Sequence, residues 1–313
     1  MLVKKIIERS IKKSEKIFIV KGDKYGQDRT GQDRTGQDRT GSLTSRILEK
    51  ILYVKNDDIY KVICILGLKI KIKIKRLELR EQISRIIEKE KQLFIRIEEL
   101  KFAEIFNSSI VQSQWLKETA FSPNKGSANY SFLYTLFKIL DEIKPKNILE
   151  FGMGQTTKMT TQYASFYKAF LDVVDDSELW INVYKEKLFL SPKIKIHCLP
   201  LIDFNYNNTI NTKYDKLNDI VKDNKYDLII VDGPVGGGQK YPRSNILDLI
   251  PQNLAKDFII IIDDAERQGE RNIAELVLSK MQDNQIKYVN VIEGAMKYQM
   301  IICSPSYSFV TAL

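Results

Sequence analysis

The feature that most constrains the fold is an alternation of short apolar runs with amphipathic segments, which begins near residue 127. The runs at 227–231 and 258–262 are almost wholly apolar. Such runs are typical of strands that are covered on both faces. Apolar strands separated by helices predict a parallel sheet with helices on both sides, which is a doubly wound, Rossmann-like α/β architecture.

Seven strands are predicted in this region. The last two are joined by the short connection 293–297, which predicts an antiparallel closing hairpin. A dehydrogenase sheet normally ends without such a hairpin. Strands are predicted at 147–151, 169–174, 193–198, 227–231, 258–262, 286–292 and 297–303, and helices at 127–143 (capped by Ser127), after Thr156, and at 178–188, 213–223, 244–254 and 270–282.

The first hundred residues predict a small basic α+β leader followed by a long helix. We expect a basic amphipathic helix at 1–25, a linker at 26–45 that contains three tandem GQDRT units, a small β-hairpin leader at 46–76 that turns near Gly67, a long helix at 77–106, and the main domain at 107–313.

The long helix carries an apolar stripe with alternating steps of three and four residues, interrupted by Glu90. This spacing fits a short dimeric coiled coil, so a homodimer through 77–106 is one expectation. A spacer helix packed on the main domain is the other. The stripe consists of Leu79, Ile83, Ile86, Leu93, Ile97 and Leu100.

The positive charge lies entirely in the leader. Residues 1–100 carry 25 Lys and Arg against 15 Asp and Glu, whereas residues 101–313 carry 24 against 25. A basic leader suits an anionic membrane surface, and a neutral main domain argues against nucleic acid as a partner. Three widely spaced cysteines and the lack of an apolar run of about eighteen residues predict a cytoplasmic protein, peripheral to the inner membrane at most.

A glycine turn follows the first strand of the main domain, in the sequence ILEFGMGQTT at 148–157. Gly152 and Gly154 let the backbone turn tightly and approach a ligand, and the next helix offers free N–H groups. A dinucleotide-binding fingerprint would have a third glycine where Thr157 stands, which argues against NAD.

Acidic residues end the next strand about twenty residues later. Asp175 and Asp176 occupy the position at which a carboxylate accepts the two ribose hydroxyls of a nucleotide. The alternative is that these acids only cap the following helix.

Three more carboxylates end the fourth and fifth strands, namely Asp232, Asp263 and Asp264. Neighbouring strands lie close together, so the three would repel each other without a positive charge among them. A divalent cation such as Mg²⁺ could supply that charge and bind sugar hydroxyls. In the metal-free alternative Asp232 is the general base, and the Asp263–Asp264 pair caps a helix and has an arginine partner.

Residues 234–243 read PVGGGQKYPR, and their three consecutive glycines predict a mobile lid. Lys240 and Arg243 in this loop, and Arg267 after the fifth strand, could contact an acidic or sugar substrate. They could equally neutralise nearby carboxylates. His197 is the only histidine, which excludes a Ser-His-Asp hydrolase.

Taken together, Glu150-x-Gly152-x-Gly154-x-Thr156, VVDDSELW, YDLIIVDGP and IIIIDDAER resemble the class I S-adenosylmethionine-dependent methyltransferases, and among them O-methyltransferases acting on sugars or polysaccharides. The resemblance covers about residues 127–305. It implies that Glu150 lies near the amino-acid end of the cofactor, with Gly152 and Gly154 beneath the cofactor and Thr156 as a further cofactor-binding residue. It also implies that Asp175 lies at the ribose, with Asp176 as the alternative, and Leu201 near the adenine.

The expected function is therefore methylation of a hydroxyl on a sugar of a bacterial surface polysaccharide or its precursor, with S-adenosylmethionine as cofactor and, in the metal-bound alternative, Mg²⁺ or another divalent cation. A glycosyltransferase of surface-glycan synthesis is the enzymatic alternative, because strand-end VDD and IDD resemble metal-binding motifs. A non-catalytic Rossmann scaffold at the membrane is the third alternative.

Overall fold

A computed structural model of the chain describes residues 52–57, 60–65, 68–73, 75–123, 126–281, 288–293 and 296–312. The expected helix at 1–25 and the GQDRT linker lie outside these residues. The chain divides into two compact units, Met1–Glu78 and Leu79–Leu313.

The first unit contains a three-stranded antiparallel sheet where a hairpin was expected. The predicted strands on either side of Gly67 are present, and a further strand precedes them. The strands are β1 (Leu52–Asp57), β2 (Tyr60–Ile65) and β3 (Leu68–Lys73), paired in the order β1-β2-β3.

Strands and helices alternate through the second unit, as the sequence predicts. A long helix α1 (Lys75–Ile110) precedes them. The helices that follow are α2 (Tyr130–Ile143), α3 (Gln155–Tyr167), α4 (Glu178–Lys185), α5 (Leu217–Val221), α6 (Asn245–Leu249) and α7 (Gln268–Lys280). The strands are β4 (Asn147–Phe151), β5 (Phe170–Asp175), β6 (Ile194–Cys198), β7 (Leu201–Tyr206), β8 (Thr209–Tyr214), β9 (Tyr226–Val231), β10 (Leu254–Ile262), β11 (Tyr288–Glu293) and β12 (Tyr298–Cys303), followed by a 3₁₀ helix (Pro305–Ala312).

The main sheet has seven strands in the order β6-β5-β4-β9-β10-β12-β11. The first five are parallel, and β12 runs antiparallel to both β10 and β11. This is the Rossmann order with an antiparallel strand inserted beside the last parallel one, which is the arrangement of the class I methyltransferase fold. The predicted fold class and closing hairpin are confirmed.

Both faces of the sheet are buried, because successive side chains of each strand point to opposite sides. In β9, Leu228 and Ile230 pack into the core that includes α2 and α3, whereas Ile229 and Val231 pack into the core that includes α6 and α7. All four are fully buried. A strand with two buried faces must be apolar throughout, which explains the unbroken run that marks it in the sequence.

Three predicted elements differ from the structure. The helix expected at 244–254 ends at Leu249, and β10 already begins at Leu254. The helix expected at 213–223 is instead the end of the β7–β8 hairpin followed by the short helix α5. Asn207 and Asn208 both have positive φ, which is what a two-residue hairpin turn requires. The helix expected to be capped by Ser127 is capped by Asn129, whose side chain accepts a hydrogen bond from the amide of Phe132.

Helix α1 is longer than expected, and its two parts have different surroundings. Near its carboxyl end Phe106 and Ile110 are buried in the core of the second unit. From Leu79 to Leu100 most of its side chains are exposed. No helix among the described residues is long and apolar enough to span a membrane.

Candidate active site

A cavity of about 900 Å³ lies beyond the carboxyl ends of β4, β5 and β9, where ligands bind in open α/β sheets. The glycine turn after β4 and the strand-end acids both line it. The residues on its walls include Gly152, Met153, Gly154, Asp175, Asp176, Trp180, Tyr184, Tyr214, Asp232, Gly233, Arg243, Asp264, Arg267 and Lys297.

The turn after β4 depends on Gly152. Its φ of +88° is a conformation that L side chains rarely adopt, and a Cβ there would lie 3.0 Å from the backbone of Asp232 and Gly233. Gly154 faces open space, since a Cβ added to it would meet nothing within 4 Å. Gly152 therefore allows the end of β4 to pack closely against the end of β9, and Gly154 leaves space for a ligand beside the turn.

Asp175 fastens the turn in place. Its two carboxylate oxygens accept hydrogen bonds from the backbone amides of Met153, at 2.8 Å, and Ser177, at 2.9 Å. The side chain is 8% exposed. Asp175 therefore joins the glycine turn to the start of α4 while still lining the cavity.

Asp176, by contrast, is exposed on the cavity wall. Partial burial and the adjacent Asp175 raise its pKa. Among the described residues, the carboxylate of Asp175 accepts hydrogen bonds from the amides of two other residues, whereas the carboxylate of Asp176 accepts none from the amide of another residue. Asp175 therefore has a structural role, whereas the carboxylate of Asp176 is free to contact a ligand in the cavity.

Glu150 and Thr156 are not on the cavity wall, contrary to what the resemblance implies. Both are fully buried under α3. The Glu150 carboxylate accepts hydrogen bonds from the hydroxyls of Thr157, at 2.8 Å, and Thr160, at 2.6 Å. Burial raises the pKa of Glu150 to about 7. Glu150 therefore anchors α3 behind the glycine turn and does not reach a ligand in the cavity.

The three other acids converge as the sequence predicts. One carboxylate oxygen from each of Asp232, Asp263 and Asp264 lies within 4.8 Å of those of the other two. Asp263 and Asp264 are buried, and Asp232 is half-buried at the cavity. The positive charge that such a cluster needs is supplied by the protein itself.

Lys297 provides the first cation. Its ammonium lies 2.8 Å from Asp263 Oδ2 and 3.2 Å from Asp264 Oδ1, and the residue is 4% exposed. Burial alone would lower the pKa of Lys297, but the carboxylates of Asp263, Asp232 and Asp264 outweigh burial and raise it. Lys297 is therefore charged and fills the space between two of the acids.

Arg243 provides the second cation. Its guanidinium donates to Asp264 Oδ2 at 2.6 Å and to the carbonyl of Asp263 at 2.8 Å, and it lies 3.5 Å from Asp232 Oδ1. Burial favours a raised pKa for Asp264, but Arg243, Lys297 and Arg267 outweigh it, so the pKa of Asp264 is lowered. The Asp263–Asp264 pair thus has the expected arginine partner, although neither carboxylate caps a helix.

The cluster already contains positive charge, because Lys297 and Arg243 lie among its carboxylates. A divalent cation is therefore not needed to balance the three acids. Asp232 is the least engaged of the three acids. Burial and the nearby Asp263 raise the pKa of Asp232 well above its ordinary value, while Arg243 and Lys297 oppose the rise. The arrangement favours the metal-free alternative, in which Asp232 can accept a proton.

The second half of the loop 234–243, for which the sequence predicts a mobile lid, makes hydrogen bonds to the β7–β8 hairpin. The side chain of Gln239 makes two hydrogen bonds of 2.8 Å with Thr212, and the amide of Tyr241 donates to Asn211 at 2.8 Å. Lys240 is exposed outside the cavity wall. The contacts fix the second half of the loop, so Lys240 is not positioned to reach a ligand in the cavity.

The remaining predicted residues differ in their positions. Leu201 packs against the core at the start of β7 and does not line the cavity. Arg267 lines it, with 42% of its side chain exposed and an ion pair of 2.9 Å to Asp264. Arg243 lines it too, but its hydrogen bonds to the strand ends make it a structural cation.

Three cavity residues were missed at the sequence level. Lys297 lies in the connection of the closing hairpin. The one sequence feature that could have identified it is its positive charge, since the three strand-end acids need a cation nearby. Tyr214 was assigned to a helix. Trp180 donates from its indole nitrogen to the carbonyl of Met153 at 2.7 Å and lies against Tyr184, with ring centroids 5.1 Å apart. The two rings give the cavity an aromatic wall.

No protein-family model matches the chain, and no curated protein matches it. Solved structures do. They include a precorrin-6y C5,15-methyltransferase from Geobacter metallireducens (9% identity, 61% of this chain and 96% of that one, TM-score 0.40). A second is human methyltransferase-like protein 13 in complex with SAH (19% identity, 56% of this chain and 78% of that one, TM-score 0.35). A third is the N-methyltransferase NodS from Bradyrhizobium japonicum (14% identity, 55% of this chain and 92% of that one, TM-score 0.33). At these scores the fold assignment rests on strand order.

Replacing Lys297 by Met should destabilise the protein by about 3–5 kcal/mol at pH 8, because the buried carboxylates lose their cation. Lys213→Met, which breaks a pair between partly exposed groups, should cost no more than about 1 kcal/mol. In K297M the folded-state pKa of the orphaned carboxylates rises above the unfolded value, so the folded protein gains stability as the pH falls. Urea unfolding should show the deficit shrinking between pH 8 and pH 5; a deficit independent of pH would contradict the charge assignment.

Proposed function

We propose that this protein is an S-adenosylmethionine-dependent O-methyltransferase that modifies a sugar hydroxyl of a bacterial surface glycan or its precursor. The observation that carries the proposal is the single cavity wall that joins a glycine turn, an exposed strand-end acid and a half-buried carboxylate. The first two suit an adenosyl cofactor, and the third suits proton removal from a hydroxyl.

The cofactor would lie across the glycine turn, with its ribose at the end of β5. Asp176 offers an exposed carboxylate to the ribose hydroxyls, and the aromatic wall formed by Trp180 and Tyr184 offers a surface for the adenine. Bound S-adenosylmethionine supplies an electrophilic methyl group. The protein's own part is then to orient the acceptor and make its oxygen nucleophilic.

Asp232 is the residue proposed to take the acceptor's proton. It lies at the end of β9, lines the cavity beside Gly233, and has a raised pKa because of burial and Asp263. A raised pKa makes its carboxylate a better base. Arg243 and Lys297 make their shortest contacts with Asp264 and Asp263, which leaves Asp232 the least restrained of the three acids.

The acceptor class rests on the need for a base and on polar groups at the cavity. Amine acceptors need less help from a carboxylate than hydroxyls do, because an amine is already a nucleophile when unprotonated. Arg267 and Lys187 on the cavity wall could contact acidic or hydroxyl groups of a glycan. The basic leader, with its excess of positive charge, would favour a location at the inner membrane face.

The direct test is calorimetry of the full chain with S-adenosylhomocysteine, S-adenosylmethionine and nucleotide sugars. We expect micromolar binding of the adenosyl ligands alone, unchanged by EDTA. Mass spectrometry of surface glycan should then show a methyl group in cells that express the wild type, and none in cells that express Asp232→Asn. Binding of nucleotide sugars alone would favour a glycosyltransferase, and binding of neither ligand would leave a scaffold.

Exchanging the two strand-end acids for amides should give different results. Asp176→Asn should weaken S-adenosylhomocysteine binding about tenfold and change the free energy of unfolding by no more than about 0.5 kcal/mol. Asp175→Asn should cost about 1–3 kcal/mol of stability as well, because a side-chain NH₂ would face the amide of Met153 or Ser177. Calorimetry paired with urea unfolding measures both quantities. Equal stability losses in the two variants would refute the division of roles.

A further inference from the structure

Helix α1 presents a stripe of apolar side chains to solvent between Leu79 and Leu100. Its spacing alternates between four and three residues, so the stripe repeats every seven residues. Exposed fractions along it are 53% for Leu79, 63% for Ile86, 59% for Leu93, 44% for Ile97 and 68% for Leu100. Among the described residues no element covers these side chains.

A second apolar row lies beside the stripe. Ile87 and Phe94 each follow a stripe residue directly, and they are 58% and 62% exposed. The apolar surface is therefore two rows wide on either side of Glu90, which is unusual on a monomer. Helices in proteins gain most of their stability from packing an apolar face against a partner. A period of 3.5 residues is the signature of packing against another helix.

We propose that the occupant is helix α1 of a second copy of this chain, running antiparallel and centred between Lys91 and Gln92. In this register Glu90 faces the partner's Leu93, Ile86 faces the partner's Ile97, and Ile83 faces the partner's Leu100. From Ile83 to Leu100 every core position thus meets a core position of the partner, as a two-fold axis requires.

Glu90 selects the antiparallel direction. It occupies a core position of the seven-residue repeat. In a parallel pair the two Glu90 carboxylates would face each other in the core, which is costly without a cation. In the antiparallel pair each lies opposite a leucine, with Lys89 on its own helix and the partner's Arg96 close enough to neutralise it.

The second apolar row selects the same direction. In an antiparallel pair Ile87 lies beside the partner's Phe94, and the contact is repeated by symmetry. In a parallel pair Phe94 would lie beside the partner's Lys89, and Ile87 beside the partner's Gln82. Only the antiparallel arrangement buries both rows together.

The first test is the oligomeric state of the full chain, measured by analytical ultracentrifugation. We expect a dimer whose dissociation constant rises at least about 100-fold in Leu93→Asp, because a charge enters the core. Val111→Asp, at a residue 78% exposed outside the stripe, should leave it unchanged. Glu90→Leu should tighten the dimer about tenfold or more. A wild type that stays monomeric, or L93D and V111D with equal dissociation constants, would overturn the proposal.

The second test is disulfide cross-linking between two full-length variants that carry different tags. Mixing Glu90→Cys with Leu93→Cys should give a mixed cross-link, and Glu90→Cys alone should give little. The wild type, with its own three cysteines, is the background control. A cross-link of E90C to itself would overturn the antiparallel direction. A monomer that dimerises only after residues 1–45 are removed would show that the chain's own leader covers the stripe, which also refutes the proposal.

A second inference concerns Tyr214, a residue that lines the cavity and whose buried hydroxyl has no hydrogen-bond partner among the described residues. The residue is 1% exposed. Its backbone is held by Asn245, whose side chain accepts from the Tyr214 amide at 2.7 Å and donates to its carbonyl at 3.1 Å. Its ring lies against Phe151, with centroids 5.9 Å apart.

Gly233 makes room for this hydroxyl. A Cβ on residue 233 would lie 2.6 Å from the Tyr214 oxygen and 2.6 Å from the amide nitrogen of Gly152. The phenol therefore reaches the glycine turn itself. A buried hydroxyl without a partner is costly, so a fold that holds one in position at a cavity is prepared for a polar ligand atom.

We infer that the Tyr214 hydroxyl hydrogen-bonds a ribose hydroxyl of the adenosyl cofactor, an inference that rests on the proposed function. Tyr214→Phe should weaken S-adenosylhomocysteine binding about tenfold and leave the melting temperature of the free protein unchanged, because the hydroxyl has no protein partner to lose. Tyr163→Phe is the matched control. Its hydroxyl donates to the carbonyl of Pro145 at 2.9 Å, away from the cavity, so this variant should lose stability and keep affinity.

5′-Methylthioadenosine, which keeps the ribose and lacks the amino-acid part, locates the contact. Its affinity should fall in Y214F by the same factor as that of S-adenosylhomocysteine; a loss restricted to S-adenosylhomocysteine would refute the ribose contact. Unchanged affinity of Y214F for a ligand that the wild type binds would refute the inference about Tyr214 alone. A wild type that binds neither adenosyl ligand would refute the proposed function.

Discussion

The site depends on the neutralisation of buried carboxylates by two buried cations. Parallel strands bring the ends of β9 and β10 side by side, and each ends in an acid, so Asp232, Asp263 and Asp264 meet within 4.8 Å. Such a cluster is stable only when positive charge lies among the oxygens. Lys297 and Arg243 provide it from opposite sides, one from the closing hairpin and the other from the loop after β9. The hairpin and the loop are thus held to the sheet by the acids that they neutralise.

This arrangement explains why the sequence favoured a metal and the structure does not. The strand-end acids could be located from sequence because the apolar runs mark where each strand ends. The cations could not, because Lys297 lies 34 residues after Asp263 and 65 residues after Asp232, in a short connection without a periodic pattern. The sequence places Arg243 near the site, but it does not show that the Arg243 side chain contacts Asp263 and Asp264. Convergent acids are visible in a sequence, whereas their neutralising partners depend on tertiary contacts.

The same reasoning separates the other successes from the errors. Strands covered on both faces, such as β9 and β10, were predicted within a few residues because burial imposes an apolar run. The β7–β8 hairpin was missed because its strands are partly exposed and mixed in composition, and only Asn207 and Asn208 marked the turn. Glu150 was placed at the ligand by resemblance. The structure instead uses it to hold α3 through threonine hydroxyls, a role that its position before Gly152 does not reveal.

Helix α1 is attached to the acid cluster through a continuous set of hydrogen bonds. Glu99 accepts from the amide of Tyr130 at 2.7 Å and from the Asn129 side chain at 3.2 Å. Gln299 lies 3.4 Å from Asn129 Oδ1 and donates to Asp263 at 2.8 Å. The carboxyl-terminal part of α1 is therefore part of the domain that forms the cavity. The exposed stripe from Leu79 to Leu100 and the cavity consequently belong to the same compact unit of the chain.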